Sequence, residues 1–205
     1  YVVPLRGGGG TRLKIFEALA MGKAVVSTAI GAEGLPLVPE RHFLSADTPE
    51  ENARIETVRA AWPGVRFATA VHPHRAGAYA RRVDDAVRAV REIAAKVDAP
   101  LLGEMGLDYH YDFAPRDVQQ AVFAAQVELA VALDLPVAIH TRLATDDTVG
   151  ILKEAGAGKV RGVMHCFTGT PSEARQALDL GFYLSIPGIV TFPKAGELRE
   201  MVAGL

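Results

Sequence analysis

Apolar residues fall along this chain in short solid runs, separated by stretches in which they recur every three or four positions. The solid runs cover 1–5, 24–28, 66–71, 101–104, 137–140, 161–165 and 182–186. They do not alternate apolar with polar, so they predict strands covered on both faces, as in a parallel sheet. The intervening stretches read as helices. Val83, Val87, Val90, Ala94 and Val97 make one amphipathic stripe, and Val118, Val122, Ala125, Leu129 and Ala132 make another. Leu13, Phe16 and Ala20 mark an earlier helix over 11–21, with Gly22 at its cap position. Punctuation agrees: 31–39 is turn-rich, 47–51 starts a helix, and Pro100 and Pro115 bracket a strand and loop. Thr170, Pro171 and Glu173 form a capping box, and a last helix covers 194–202.

Strand and helix therefore alternate, which predicts an α/β fold with a parallel sheet covered by helices. Seven strands are counted. The expected closure is a TIM-like (β/α) barrel, incomplete, with the eighth strand missing; an open doubly wound sheet is the other solution. Polar residues at the C-terminal ends of four successive strands favour the barrel, since barrel enzymes assemble their sites there.

Those strand ends carry the candidate chemistry. LLGEMGLDYHY (101–111) runs apolar into Glu104 and then Asp108, Tyr109 and His110; VAIHTR (137–142) runs into His140 and Arg142; VMHCFTG (163–169) runs into His165. One carboxylate and two imidazoles from three successive strands suit a divalent metal. His72 and His74 flank Pro73 and could ligate the metal or donate to a phosphate. Arg142 could fork onto a phosphate or pair with Asp146 or Asp147. Asp108 could orient a ligand histidine. Tyr109 could be a binding platform or packing, and Cys166 reads as a buried small residue.

Composition narrows the setting without changing this picture. The 205 residues are 49% hydrophobic and 22% charged, ordinary for a globular protein, and a net charge of −2 gives no bulk attraction to nucleic acid or anionic membrane. One cysteine forms no internal disulfide, and no apolar run is long enough to span a bilayer, so the expected location is cytoplasmic with no membrane partner. No signal peptide is visible, and an opening Tyr1 in place of Met suggests a fragment.

AVHPH (70–74), GEMGLDY (103–109), IHTR (139–142), HCFTG (165–169) and GIVTFPKA (188–195), in this order, resemble the TatD family of metal-dependent hydrolases over about 53–205. The resemblance implies a (β/α)8 barrel, divalent metal (Mg2+, Mn2+ or Zn2+) and hydrolysis of phosphodiester bonds in DNA, of the 3'–5' exonuclease or endodeoxyribonuclease type. It implies Glu104, His140 and His165 as metal ligands, with Glu104 and Asp108 catalytic. His72, His74, Tyr109 and Arg142 are implied near the substrate. The family's His-x-His pair near the N-terminus and its last aspartate have no counterpart here, so one weakly held metal and an impaired hydrolase are expected.

The first fifty residues differ. VPLRGGGGTRLKIFEALAMGKAVVSTAIGAEGL (3–35) resembles the C-terminal half of a GT-B glycosyltransferase of the family-4 kind, which would give Arg12 and Glu17 a nucleotide-sugar role. The expected organisation is a glycosyltransferase-like fragment over 1–51 and a truncated hydrolase barrel over 52–205. Its alternatives are a nucleotide-sugar-binding module or a non-functional chimera.

Overall fold

The computed structural model describes residues 2–3, 26–27, 44–45, 60, 64–111 and 113–205. The helix expected over 11–21, the turn-rich 31–39, the helix start at 47–51, and Arg12 and Glu17 lie outside the described residues. The chain divides into two compact units, Tyr1–Val65 and Arg66–Leu205.

In the first unit three two-residue strands pair in parallel: β1 (Val2–Val3), β2 (Val26–Ser27) and β3 (Leu44–Ser45), in the order β1-β2-β3. The strand at 44–45 was not expected, because two residues carry no readable period.

The second unit is a parallel sheet in sequential order: β4 (Leu102–Asp108), β5 (Val137–Arg142), β6 (Gly162–Met164) and β7 (Tyr183–Leu184). Among the described residues five α-helices accompany it: α1 (Val83–Val97), α2 (Arg116–Leu133), α3 (Thr145–Glu154), α4 (Pro171–Asp179) and α5 (Gly196–Ala203). Short 3-10 helices cover Pro73–Tyr79 and Gly188–Thr191. Leu102, Met105, Leu107, Ile139 and Met164 from the strands are buried, as are Val90, Val122, Phe123, Val127 and Leu152 from the helices. The fold is thus α/β, a parallel sheet flanked by helices, with an incomplete barrel.

Two expectations need correction. The run 66–71 is not a strand; it makes one parallel bridge, Thr69 to Leu102. Just beyond, the side chain of Gln126 takes both backbone groups of Val71, which are then unavailable for a ladder. The α2 stripe is also rotated from the one read in the sequence. Val122 and Leu129 are buried, but so are Gln119 and Gln126, while Ala132 is exposed.

Gly106 fits its place for a steric reason. It has φ +138°, and a Cβ there would run into the carbonyl oxygen of His140 on the paired strand. Only glycine lets β4 and β5 approach this closely beside both candidate ligands.

Candidate metal centre

Parallel pairing of β4, β5 and β6 brings Glu104, His140 and His165 together. The strand expected to end at Glu104 runs on to Asp108, so Glu104 lies within β4, at a register irregularity between Gly103 and Met105, and not at its end. One oxygen of Glu104, Oε1, lies 2.9 Å from His165 Nδ1 and 3.3 Å from His140 Nδ1. The three residues singled out on successive strands therefore meet. His72 joins them: one ligand atom each from His72, Glu104 and His140 lie within 4.8 Å of one another.

Asp108 organises the next layer. Its side chain is buried, and its Oδ2 accepts from His140 Nε2 and His74 Nε2, both at 2.9 Å. Its Oδ1 accepts from the backbone N–H of His110 and of Tyr111. With Nε2–H of His140 donated to Asp108, the Nδ1 lone pair is left for a cation beside Glu104, a carboxylate–histidine arrangement that fixes the ring.

The electrostatics follow from these contacts. Burial alone would raise the pKa of Glu104, but the hydrogen bonds of His140 and His165 outweigh it and hold the carboxyl well below the usual range. Asp108 is depressed likewise: burial opposes, while His140 and His74 prevail. Burial pulls His140 down, and Asp108 and Glu104 more than compensate, raising it to about 9. His165 is also raised to about 9, by Cys166 first and then Glu104. His72 goes the other way, to about 3, through burial and then the neighbouring His140. It is therefore a neutral imidazole whose Nδ1 accepts from the His74 N–H at 3.3 Å, which puts its proton on Nε2.

The donor set fits a divalent cation of borderline softness: imidazole nitrogens and one carboxylate oxygen, converging from a rigid frame. A second cluster, His74, Asp108 and His140, also meets the distance requirement, but Asp108 there already accepts from four groups. The site around Glu104, where His140 and His165 meet one carboxylate oxygen, is the better cation site.

Other expected residues lie further out. Tyr109 turns to the helices: its hydroxyl donates to Asp147 at 2.6 Å and accepts from Gln120 at 2.7 Å, and Arg116 lies over its ring at 4.3 Å. It borders an open cavity of about 320 Å3 with Thr145, Asp147 and Glu173. Arg142 does not pair with Asp146 or Asp147; it stacks on Tyr111, 4.9 Å from the ring centre. Cys166 is half-buried, not buried, at φ +51°, its thiol 3.6 Å from His165 Nε2.

Two residues escaped the sequence reading. Gln119 accepts from the N–H of Asp108 and donates to the carbonyls of Asp108 and Ala114. Gln126 accepts from the N–H of Val71 at 2.6 Å and donates to the carbonyls of Val71 and Val122. One helix thus clamps the backbone at Asp108 and immediately before His72. The available signal was two glutamines seven apart, on the same helix face as the apolar Val122 and Leu129.

A family model for TatD-related DNases matches residues 20–205. The chain belongs to the TatD family. Among similar proteins, the metal-dependent hydrolase YabD of Bacillus subtilis is 49% identical over 113 residues, 55% of this chain and 44% of YabD. The 3'-5' ssDNA/RNA exonuclease TatD of Rahnella sp. is 35% identical over 162 residues, 78% of this chain and 60% of that protein. The crystal structure of YJJV, a TatD homologue from Escherichia coli K12, superposes with a TM-score of 0.67 at 23% identity, over 93% of this chain and 67% of that one, which speaks for the fold alone. The chain thus spans about half the length of the curated relatives it matches. The TatD match begins inside the stretch with the glycosyltransferase resemblance, and none of these comparisons supports that resemblance.

Proposed function

We propose that this chain is a divalent-metal-dependent hydrolase of phosphodiester bonds in nucleic acid, with the chemistry carried by 52–205. The observation that carries the reading is the convergence of His140 and His165 on one oxygen of Glu104, with His72 beside them. Its relatives' names, metal-dependent hydrolase and 3'-5' ssDNA/RNA exonuclease, support the same class.

In this reading Glu104, His140 and His165 hold the cation. A bound divalent cation would polarise a phosphoryl oxygen and lower the pKa of a bound water. Asp108 holds His140 in the tautomer that leaves Nδ1 free. His72, neutral and protonated on Nε2, donates to a phosphoryl oxygen. His74 shares Asp108 and steadies the His72 turn through its backbone N–H. The guanidinium of Arg142 neutralises a substrate phosphate. No helix among the described residues is long and apolar enough to cross a membrane, and the lone cysteine suits a reducing compartment, so we place the activity in the cytoplasm.

The test is hydrolysis of an activated phosphodiester by the purified chain with Mg2+, Mn2+ or Zn2+. Chelator and Glu104→Ala are each expected to abolish turnover. Asp108→Asn, which keeps the shape of the side chain, is expected to lower activity about 10- to 100-fold. Turnover that survives both chelation and Glu104→Ala would refute the proposal.

A further inference from the structure

Beside the metal centre, the loop after β4 carries aromatic rings that the hydrolytic reading does not use. Tyr111 and Phe113 are stacked, with ring centres 5.3 Å apart and planes 26° apart. His74 packs against both, 5.5 Å from Tyr111 and 4.8 Å from Phe113. Phe113 nevertheless stays 58% exposed. On Tyr111 lies the guanidinium of Arg142, which has no ion-pair partner among the described residues. Of the two carboxylates expected to pair with it, Asp146 and Asp147, neither does, and Asp147 is engaged by Tyr109 and Gln120.

This arrangement is held in place. Asp108 Oδ1 accepts from the Tyr111 N–H, and the Tyr109 N–H donates to the Arg142 carbonyl at 2.9 Å. The carboxylate that positions His140 therefore also positions the loop that carries the rings.

We propose that Tyr111, Phe113 and Arg142 form a ledge on which an unpaired base of a single-stranded nucleic acid stacks while Arg142 meets the adjoining phosphate. The proposal rests on the phosphodiesterase reading for the identity of its substrate. Its own support is the chemistry of the ledge: an exposed ring face that any base can cover, and a guanidinium free to meet a phosphate. A duplex offers no free base face. A purely apolar partner would leave Arg142 uncompensated.

The experiment measures binding of a fluorescent six-nucleotide DNA strand to the full chain in chelator, where cleavage does not intervene. The same strand carrying only abasic sites, and its duplex, are the comparisons. The intact single strand is expected to bind most tightly. Phe113→Ala is expected to weaken it by about 5- to 100-fold, the range for losing one stacked base, and Phe113→Trp to restore it. Equal affinity for the abasic strand, wild-type affinity in Phe113→Ala, or no binding to the wild-type chain overturns the ledge. Metal-dependent hydrolysis of a small activated phosphodiester without a base is scored separately and should be unchanged in Phe113→Ala. If the wild-type chain does not cleave it while Phe113-dependent binding persists, the hydrolase reading falls and the ledge stands. If it is cleaved and binding ignores the base, the ledge falls alone.

Discussion

Asp108 uses both carboxylate oxygens: one fixes two histidines and the other fixes the loop that follows β4. That economy depends on its backbone being immobile, and Gln119 supplies the restraint by closing on both backbone groups of Asp108. Gln126 does the same for Val71, the residue before His72. Replacing it by leucine preserves the apolar packing but leaves a buried N–H and a buried carbonyl without a partner. At about 1–3 kcal/mol each, Gln126→Leu is expected to lower unfolding stability by about 2–6 kcal/mol, read from urea denaturation. Because the His72 turn loosens as well, any surviving hydrolysis should show a raised KM. The chain pattern revealed Glu104, His140 and His165 because each ends a solid apolar run. It did not reveal the glutamines, whose role exists only once α2 lies against β4 and the 66–71 segment.

Among the elements, α4 tests the reading of local signals most directly. The sequence places a capping box at Thr170 and Glu173, and the structure has both halves: Thr170 Oγ1 accepts from the Glu173 N–H at 3.3 Å, and Glu173 Oε2 accepts from the Thr170 N–H at 2.7 Å. Glu173 also accepts from Thr145 Oγ1 on α3, so the box ties two helices together. Thr170→Ala is expected to cost about 1 kcal/mol of stability near neutral pH. Burial opposes the ionised form of Glu173, but the hydrogen bonds of Thr145 and Thr170 together outweigh it and lower its pKa from 4.5. A depressed folded-state pKa gives stability that is present above 4.5 and lost as pH falls through the folded value. The gap between wild type and Thr170→Ala should therefore narrow in acid, as thermal melts across that range would show. The helix at 83–97 was equally legible, its apolar stripe matching the buried Val90, Ala94 and Val97. The run 66–71 was not, because a solid apolar run records burial and not which group answers each backbone hydrogen bond.

For the whole molecule, the cation and the fold are linked. A ligand that binds only the folded chain stabilises it by about 2.7 kcal/mol at one hundred times its Kd. Adding Mn2+ or Zn2+ is expected to raise Tm in the wild-type chain and to leave Glu104→Ala unmoved. The effect should grow with pH. Without metal, His140 and His165 are raised to about 9, so their contacts with Glu104 stabilise the fold fully below about 6.5 and are lost as pH rises through about 9. A cation must displace those protons, so its affinity rises over the same interval. A Tm gain from metal that is larger at pH 6 than at pH 8 would contradict this account of the site.

The order of strands and helices from residue 83 onward, the parallel sheet and the three metal-ligand candidates that close apolar runs are all carried by one-dimensional signals. Continuous apolar runs, three-four periodicity and capping residues act over a few positions, so the chain displays them without being folded. Tertiary structure alone decided the rest: that one oxygen of Glu104 would serve two histidines, that Asp108 would join His74 to His140, and that two glutamines would stand in for a missing ladder. It also left Arg142 on an aromatic face with Asp147 already engaged. Each of these pairs residues far apart in the chain, and what a polar group finds at that distance depends on the packing of strands and helices, which no local pattern encodes.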